Sequence, residues 1–269
     1  FGLGNVRTEQ NREKRLHMNK GYVSAMLVLA AALVILPAAV VSAAGDDILY
    51  RGDFGGEDAD HFCSTVAISD GFVAAGYSYS GSFGSGDWTD VQGMGYTDAI
   101  IVRYDDAGSI VWKESFGGSG NDIFYSVTEV SDGFVAVGQS AQTSFRTGDW
   151  TDIRGKGGID AIAVKYDHEG NVVWKMNIGG PGSDSYRSVA AVPGGFVAVG
   201  FSHISSLNGG DWTGFTAKGT YCATIVKYNN DGEVQWKKNF GGDGVDYFTS
   251  VVSTTDGVVA VGYAQALSF

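Results

Sequence analysis

A period of 62 residues runs through this chain from about residue 54 onward, and it restricts the fold more than any other feature of the sequence. Phe54-Gly55-Gly56 returns as Phe116-Gly117-Gly118, Ile178-Gly179-Gly180 and Phe240-Gly241-Gly242, without insertion or deletion. The same step carries Asp60 to Asp122, Asp184 and Asp246, and GFVAAG at 71–76 to GFVAVG at 133–138 and 195–200 and GVVAVG at 257–262. A Gly-Asp-Trp-Thr motif ends at Thr89, Thr151 and Thr213, and Trp112, Trp174 and Trp236 form a second aromatic column. All six tryptophans therefore fall into two columns of three.

Within the unit 116–177, IFYSVTEV (123–130), FVAVGQS (134–140), AIAVKY (161–166) and NVVWKM (171–176) are β-branched and aromatic runs bounded by Gly and Asp turns. A long polar loop separates the second run from the third. No stretch after residue 45 keeps a helical period. Four consecutive antiparallel strands make a blade, and repeated blades make an all-β propeller. The 41 glycines and 3 prolines do not fit a collagen, which needs abundant proline and glycine at every third residue. The glycines sit in columns of turns instead.

The mature part opens with Asp47-Ile48-Leu49-Tyr50, which aligns with a fourth strand, Asn171-Val172-Val173-Trp174. The last unit stops at Leu267-Ser268-Phe269, inside its long loop. The expectation is a propeller truncated to about 3.5 blades, an open arc over 45–269 with repeats beginning near 54, 116, 178 and 240. Before it, residues 18–44 carry Lys20, an apolar run, Pro37 and the small residues Val41-Ser42-Ala43, the pattern of a cleaved secretory signal peptide whose apolar run is helical. A retained membrane anchor is the alternative, since about 20 apolar residues can span a bilayer. Residues 1–17 have no apolar periodicity and read as a leader upstream of the true start.

The chain carries 18 basic and 30 acidic side chains, a net charge of −12. Residues 1–44 hold five of the basic and two of the acidic ones, so the remainder stands at −15. Phosphate backbones would repel such a surface, which excludes nucleic acid as a partner.

Two sets of acidic residues are candidate sites. Asp60, Asp122, Asp184 and Asp246 recur where one unit crosses to the next. Each is read first as an acceptor that fixes the Gly-rich crossover through backbone N–H groups. A ring of such carboxylates at a channel mouth would alternatively attract a hard cation such as Ca²⁺. Asp87-Trp88, Asp149-Trp150 and Asp211-Trp212 lie in the long loops on one face. There an indole can stack on a sugar or a partner protein while the carboxylate bonds hydroxyls, or it can fold over its own loop.

Other columns read as structural. Asp98 and Asp160 give way to Cys222, so they are turn caps rather than ligands. Ser64, Ser126, Ser188 and Ser250 have no histidine or acidic column beside them, and His61, His168 and His203 occupy different repeat positions, which defeats a repeated triad or a histidine metal site. Cys63 and Cys222 read as buried free thiols.

The pattern FGGxGxD…SV…DGFVAVG…GDWTD…DAIxVKYDxxGNVVWKxxFGG resembles bacterial secreted β-propeller repeat proteins over about residues 46–269. Tyr166-Asp167-x-x-Gly170-x-x-x-Trp174 is also similar to the repeat of pyrroloquinoline-quinone propellers. That resemblance implies that Trp112, Trp174 and Trp236 dock on neighbouring blades. The adjacent-cysteine pair of those quinone proteins is absent, which argues against quinone binding. The reading is a secreted or cell-surface, non-catalytic module for protein or glycan binding or scaffolding, with no cofactor. The alternative is an extracytoplasmic enzyme, quinoprotein-like or polysaccharide-active, with its catalytic residues downstream of Phe269.

Overall fold

A computed structural model describes the backbone of residues 38–44 and 47–265 and the side chains from Gly52 to Gln265. The leader, most of the segment read as a signal peptide and the last four residues lie outside the described residues.

The strands are β1 (Ala38–Ala44), β2 (Asp47–Phe54), β3 (Asp60–Ile68), β4 (Gly71–Tyr79), β5 (Thr97–Asp105), β6 (Ile110–Phe116), β7 (Asp122–Val130) and β8 (Gly133–Ala141). They continue as β9 (Ile159–Tyr166), β10 (Val172–Ile178), β11 (Asp184–Val192), β12 (Gly195–His203), β13 (Tyr221–Asn229), β14 (Val234–Phe240), β15 (Asp246–Thr254) and β16 (Gly257–Ala264). Three antiparallel sheets run in chain order, β3-β4-β5-β6, β7-β8-β9-β10 and β11-β12-β13-β14, followed by the pair β15-β16. These are the blades of a β-propeller, three complete and the inner half of a fourth, in an open arc.

Tight turns with glycine at the left-handed or extended position close each inner hairpin. At Gly133, φ is +141° and an added Cβ would lie 2.0 Å from the Tyr166 carbonyl oxygen, so no side chain fits there. The second and third strands form the core of each blade. Val135, Ala136, Val137, Ile162, Ala163 and Val164 are all at most 1 % exposed, buried on both faces because a blade lies against each side.

First strands of consecutive blades pack on one another around the inner side of the arc. Ser64, Ser126 and Ser188 pin them together, their hydroxyl oxygens accepting the backbone N–H of Val127, Val189 and Val251 at 3.4, 3.2 and 3.1 Å. This occupies the serine column. A second seam forms where the start of each third strand bridges in parallel to the residue before the next first strand, Thr97 to Asn121, Ile159 to Ser183 and Tyr221 to Val245.

The apolar run read as helical lies outside the described residues, while the small-residue end of the segment read as a signal peptide, Ala38–Ala44, is the strand β1, antiparallel to β2. Its register, Phe54 opposite Ala38, repeats Phe116 opposite Ala99 in the first blade. The run is short and rich in valine and alanine, and a strand there satisfies the ladder of β2, which a helix would leave open. Among the described residues no helix is long and apolar enough to cross a membrane.

On the fourth blade, Val259 and Val261 are 50 % and 55 % exposed, whereas their equivalents Val135 and Val137 are buried in one core cluster with Val189 and Ala198 of the following blade.

Candidate functional site

Each Gly-Asp-Trp-Thr motif forms a 3-10 turn that folds back on the Phe-Gly-Gly crossover of its own blade. Asp87, Asp149 and Asp211 accept the backbone N–H of Gly55, Gly117 and Gly179 through Oδ2, each at 2.9 Å. The indoles of Trp88, Trp150 and Trp212 donate to Oδ1 of Asp60, Asp122 and Asp184 at 3.0, 3.1 and 3.1 Å. Oδ2 of the same three carboxylates accepts from Gly56, Gly118 and Gly180 and from the hydroxyls of Ser82, Ser144 and Ser206. Asp246 accepts from Gly242 in the same way. Thr89 and Thr151 cap their turns, and Lys113 and Lys175 bond the turn carbonyls of Asp87 and Asp149 while pairing with Asp90 and Asp152. In the third unit Gly214 replaces the final aspartate; Lys237 still bonds the carbonyl of Asp211 and lies 5.5 Å from the Trp212 ring centroid.

This geometry corrects the exposed-indole reading and sets aside the channel-mouth alternative for the aspartate column, leaving its first reading as a backbone acceptor. The loop tryptophans Trp88, Trp150 and Trp212 are at most 1 % exposed, so no indole face is offered to a sugar or partner; the apolar crossover and the buried carboxylate draw the ring inward. Nor do Asp60, Asp122, Asp184 and Asp246 ring an open channel mouth. They are at most 4 % exposed, with their oxygens turned to donors of their own blade. Among the described residues no three His, Cys, Asp or Glu side chains come together in a way that could hold a metal.

Burial shows in the acidities. Desolvation pushes the Asp184 carboxyl up to about 6 and raises Asp122, with the surrounding donors pulling the other way. Asp98 and Asp160, fully buried at the start of the third strands, are also raised by desolvation, Asp98 to about 6. Asp98 Oδ2 accepts from the backbone of Met94 and Gly95, and Oδ1 has no hydrogen-bond partner among the described residues.

The outer tryptophans reach forward. Trp112 donates to the carbonyl of His168 at 2.9 Å and Trp174 to that of Asn230 at 3.1 Å, both in the outer hairpin turn of the following blade. Arg103 and Lys165, on the neighbouring third strands, converge on the same two carbonyls at 3.0 and 3.2 Å. Trp236 is 38 % exposed.

The residues that differ between units gather elsewhere. The first-strand pairing slips between 62 and 64, 124 and 126, 186 and 188, and 248 and 250, leaving Cys63, Tyr125, Arg187 and Thr249 as bulge residues without a cross-strand partner. Bulges re-aim side chains and are frequent beside functional sites. Here the Arg187 guanidinium lies 4.1 Å from the Tyr125 ring centroid and 5.2 Å from that of Phe201. The columns of His61 and Tyr77 vary likewise, to Ile123 and Gln139 in the second unit and to Ser185 and Phe201 in the third. Scanning for constant columns passes over these positions; the signal was the variation itself within an otherwise rigid repeat.

Between the first two blades, at the long-loop ends of the inner strands, three of these variable positions, Tyr77, Ile123 and Gln139, help line a cleft of about 210 Å³. Tyr77, Tyr79 and Tyr96 form one side, continuous with His61, whose ring stacks on Tyr77 at 4.7 Å. Asn121 and Gln139 face them. A cavity of about 350 Å³ at the fourth blade lies against Phe240, which is 50 % exposed where its equivalent Phe116 is 1 % exposed under Trp150.

No protein-family profile matches the chain. Over 158 residues it is 28 % identical to the regulatory protein FlaEY of Caulobacter vibrioides, a match that takes in 56 % of this chain and 16 % of that protein. The chain thus spans about a sixth of the length of that relative. Among solved structures it is similar to BamB from Moraxella catarrhalis, with 13 % identity, a TM-score of 0.35, and coverage of 80 % of this chain and 62 % of that one.

Proposed function

We propose that this chain is a non-catalytic β-propeller module, secreted or held at the cell surface, that binds or scaffolds a protein or glycan through the long-loop ends of its inner strands. One observation carries the reading. The columns that repeat are taken up in hydrogen bonds within and between blades, whereas variable positions such as Cys63 and Tyr96 are exposed and Tyr77, Tyr96 and Gln139 meet at one cleft between blades. A binding protein needs that division, because a rigid frame holds differing contact residues in place at little entropic cost. The signal-like segment at 18–44 supports a location outside the cytoplasm. A relative described as regulatory is in keeping with a role other than catalysis. Ser64, Ser126 and Ser188 accept inter-blade N–H groups, which supports a structural role for them. Cys63, read from the sequence as a buried thiol, is exposed in its bulge, whereas Cys222 is buried.

Glycan and peptide arrays probed with the purified chain test the proposal. The expected result is retention of at least one array member, unchanged in mass after incubation and lost when the variable residues Tyr96 and Arg187 are replaced by alanine. Retention of nothing, or chemical turnover of a bound member, would overturn it.

A further inference from the structure

We infer that the cleft between the first two blades takes a neutral sugar ring. The inference rests on the reading of the chain as a binding module and names the ligand class of one site. The cleft is about 210 Å³, below the roughly 300–1,000 Å³ of pockets that enclose drug-sized ligands, so it suits a single ring of a longer molecule whose remainder stays in solvent. Tyr79 lies 6.1 Å from Tyr77 and 6.0 Å from Tyr96, ring centroid to centroid, at 59° and 72°, so the three rings form a continuous bent aromatic wall. Tyr96 is 67 % exposed at its rim. Such a wall matches the C–H faces of a pyranose, and its phenol edges match the hydroxyl rim.

The opposite side supplies oriented polar groups. The Thr97 hydroxyl donates to Asn121 Oδ1 at 3.1 Å, which leaves the Asn121 amide N–H groups to donate outward. The Gln139 amide and the hydroxyls of Tyr79 and Tyr96 have no hydrogen-bond partner among the described residues, so each is available to a ligand.

Charge narrows the class. No charged side chain lines the cleft, although the whole chain has a net charge of −12. A nucleotide or uronate would meet no cation there and a repulsive field around it. An ammonium ligand would find aromatic faces but no carboxylate among the lining residues. A ligand with many hydroxyls, an apolar ring face and no charge fits what remains.

Titration calorimetry on the purified chain tests this with six probes: maltotetraose, cellotetraose, chitotetraose, tetragalacturonate, choline and a proline decapeptide. The expected result is binding of at least one neutral tetrasaccharide, weakened at least tenfold by Tyr96→Ala and by Gln139→Ala and changed less than twofold by Asp106→Ala, in an exposed outer turn away from the cleft. Tyr96 and Gln139 lie outside the buried core, so both variants retain the fold. Failure of all three neutral sugars, or binding indifferent to Tyr96→Ala and Gln139→Ala, would overturn the inference. Choline, uronate or peptide binding at these residues in place of a neutral sugar would overturn the sugar assignment and leave the binding module standing. Silence across these probes and both arrays would overturn both.

Discussion

The indole nitrogen of Trp150 donates to Oδ1 of Asp122 at 3.1 Å, across 28 residues of chain, with both side chains closed to solvent. The bond joins the tip of the long loop to the first residue of the blade's inner strand. The same relationship recurs between Trp88 and Asp60 and between Trp212 and Asp184. A loop of some twenty polar, glycine-rich residues is costly to order, and this buried acceptor holds it against the crossover.

Trp150→Phe keeps most of the buried ring but leaves Asp122 Oδ1 without its donor. The expected loss is about 1–3 kcal/mol of unfolding free energy, read from the urea midpoint. In a cycle with Asp122→Asn, the two losses should combine less than additively, because they break one network. Additive losses would show that the pair is not coupled.

The outer tryptophans should differ among themselves. Trp112→Phe and Trp174→Phe each remove a bond to the next blade's turn and should cost about 1 kcal/mol. Amide exchange at the turns holding His168 and Asn230 should rise accordingly. Trp236→Phe should leave the midpoint nearly unchanged, since its indole is 38 % exposed and makes no hydrogen bond among the described residues. Equal effects at all three positions would refute the staple role.

Stability should fall as the pH rises from 4.5 to 7.5. Asp98 and Asp184 have folded values of about 6, above the ~3.9 of an unfolded aspartate. Between those values the folded chain holds more protons than the unfolded one, so stability is highest below the window and lost as pH climbs through 6. Asp90, Asp132 and Asp152, lowered chiefly by hydrogen bonds from Lys113, Lys165 and Lys175, act the opposite way, and their contribution is lost as pH falls below about 4. Asp98→Asn should raise the urea midpoint at pH 7.5 and change it much less at pH 4.5. A variant no more stable than the parent at pH 7.5 would contradict this.

Gly148 has φ +49°, and an added Cβ would lie 2.4 Å from the Gly117 carbonyl oxygen. Gly148→Ala should therefore destabilise the chain by well over the ~1 kcal/mol of an ordinary glycine replacement, as strain and clash combine. Gly194, with φ +76° and open space around it, should accept asparagine with a change below about 1 kcal/mol. Thermal melts of the two variants make the comparison.

Strand order, hairpin turns and blade boundaries were legible from residues alone, because each depends on local periodicity and on turn residues whose backbone preferences are their own. The runs read at 123–130, 134–140, 161–166 and 171–176 correspond to β7, β8, β9 and β10 to within two residues at either end. Repetition also marked Asp122 and Trp150 as special. It could not say that they touch, since a column records that a residue is needed but not where it points. Only the folded blade turned the Asp-Trp pairs inward and made them framework. It likewise brought Tyr77, Tyr96 and Gln139, from two different units, to one cleft. The sequence by itself determined the blade and its period, through local backbone chemistry. The tertiary structure decided which face is free to bind, because burial is a property of neighbouring blades and no single repeat contains it.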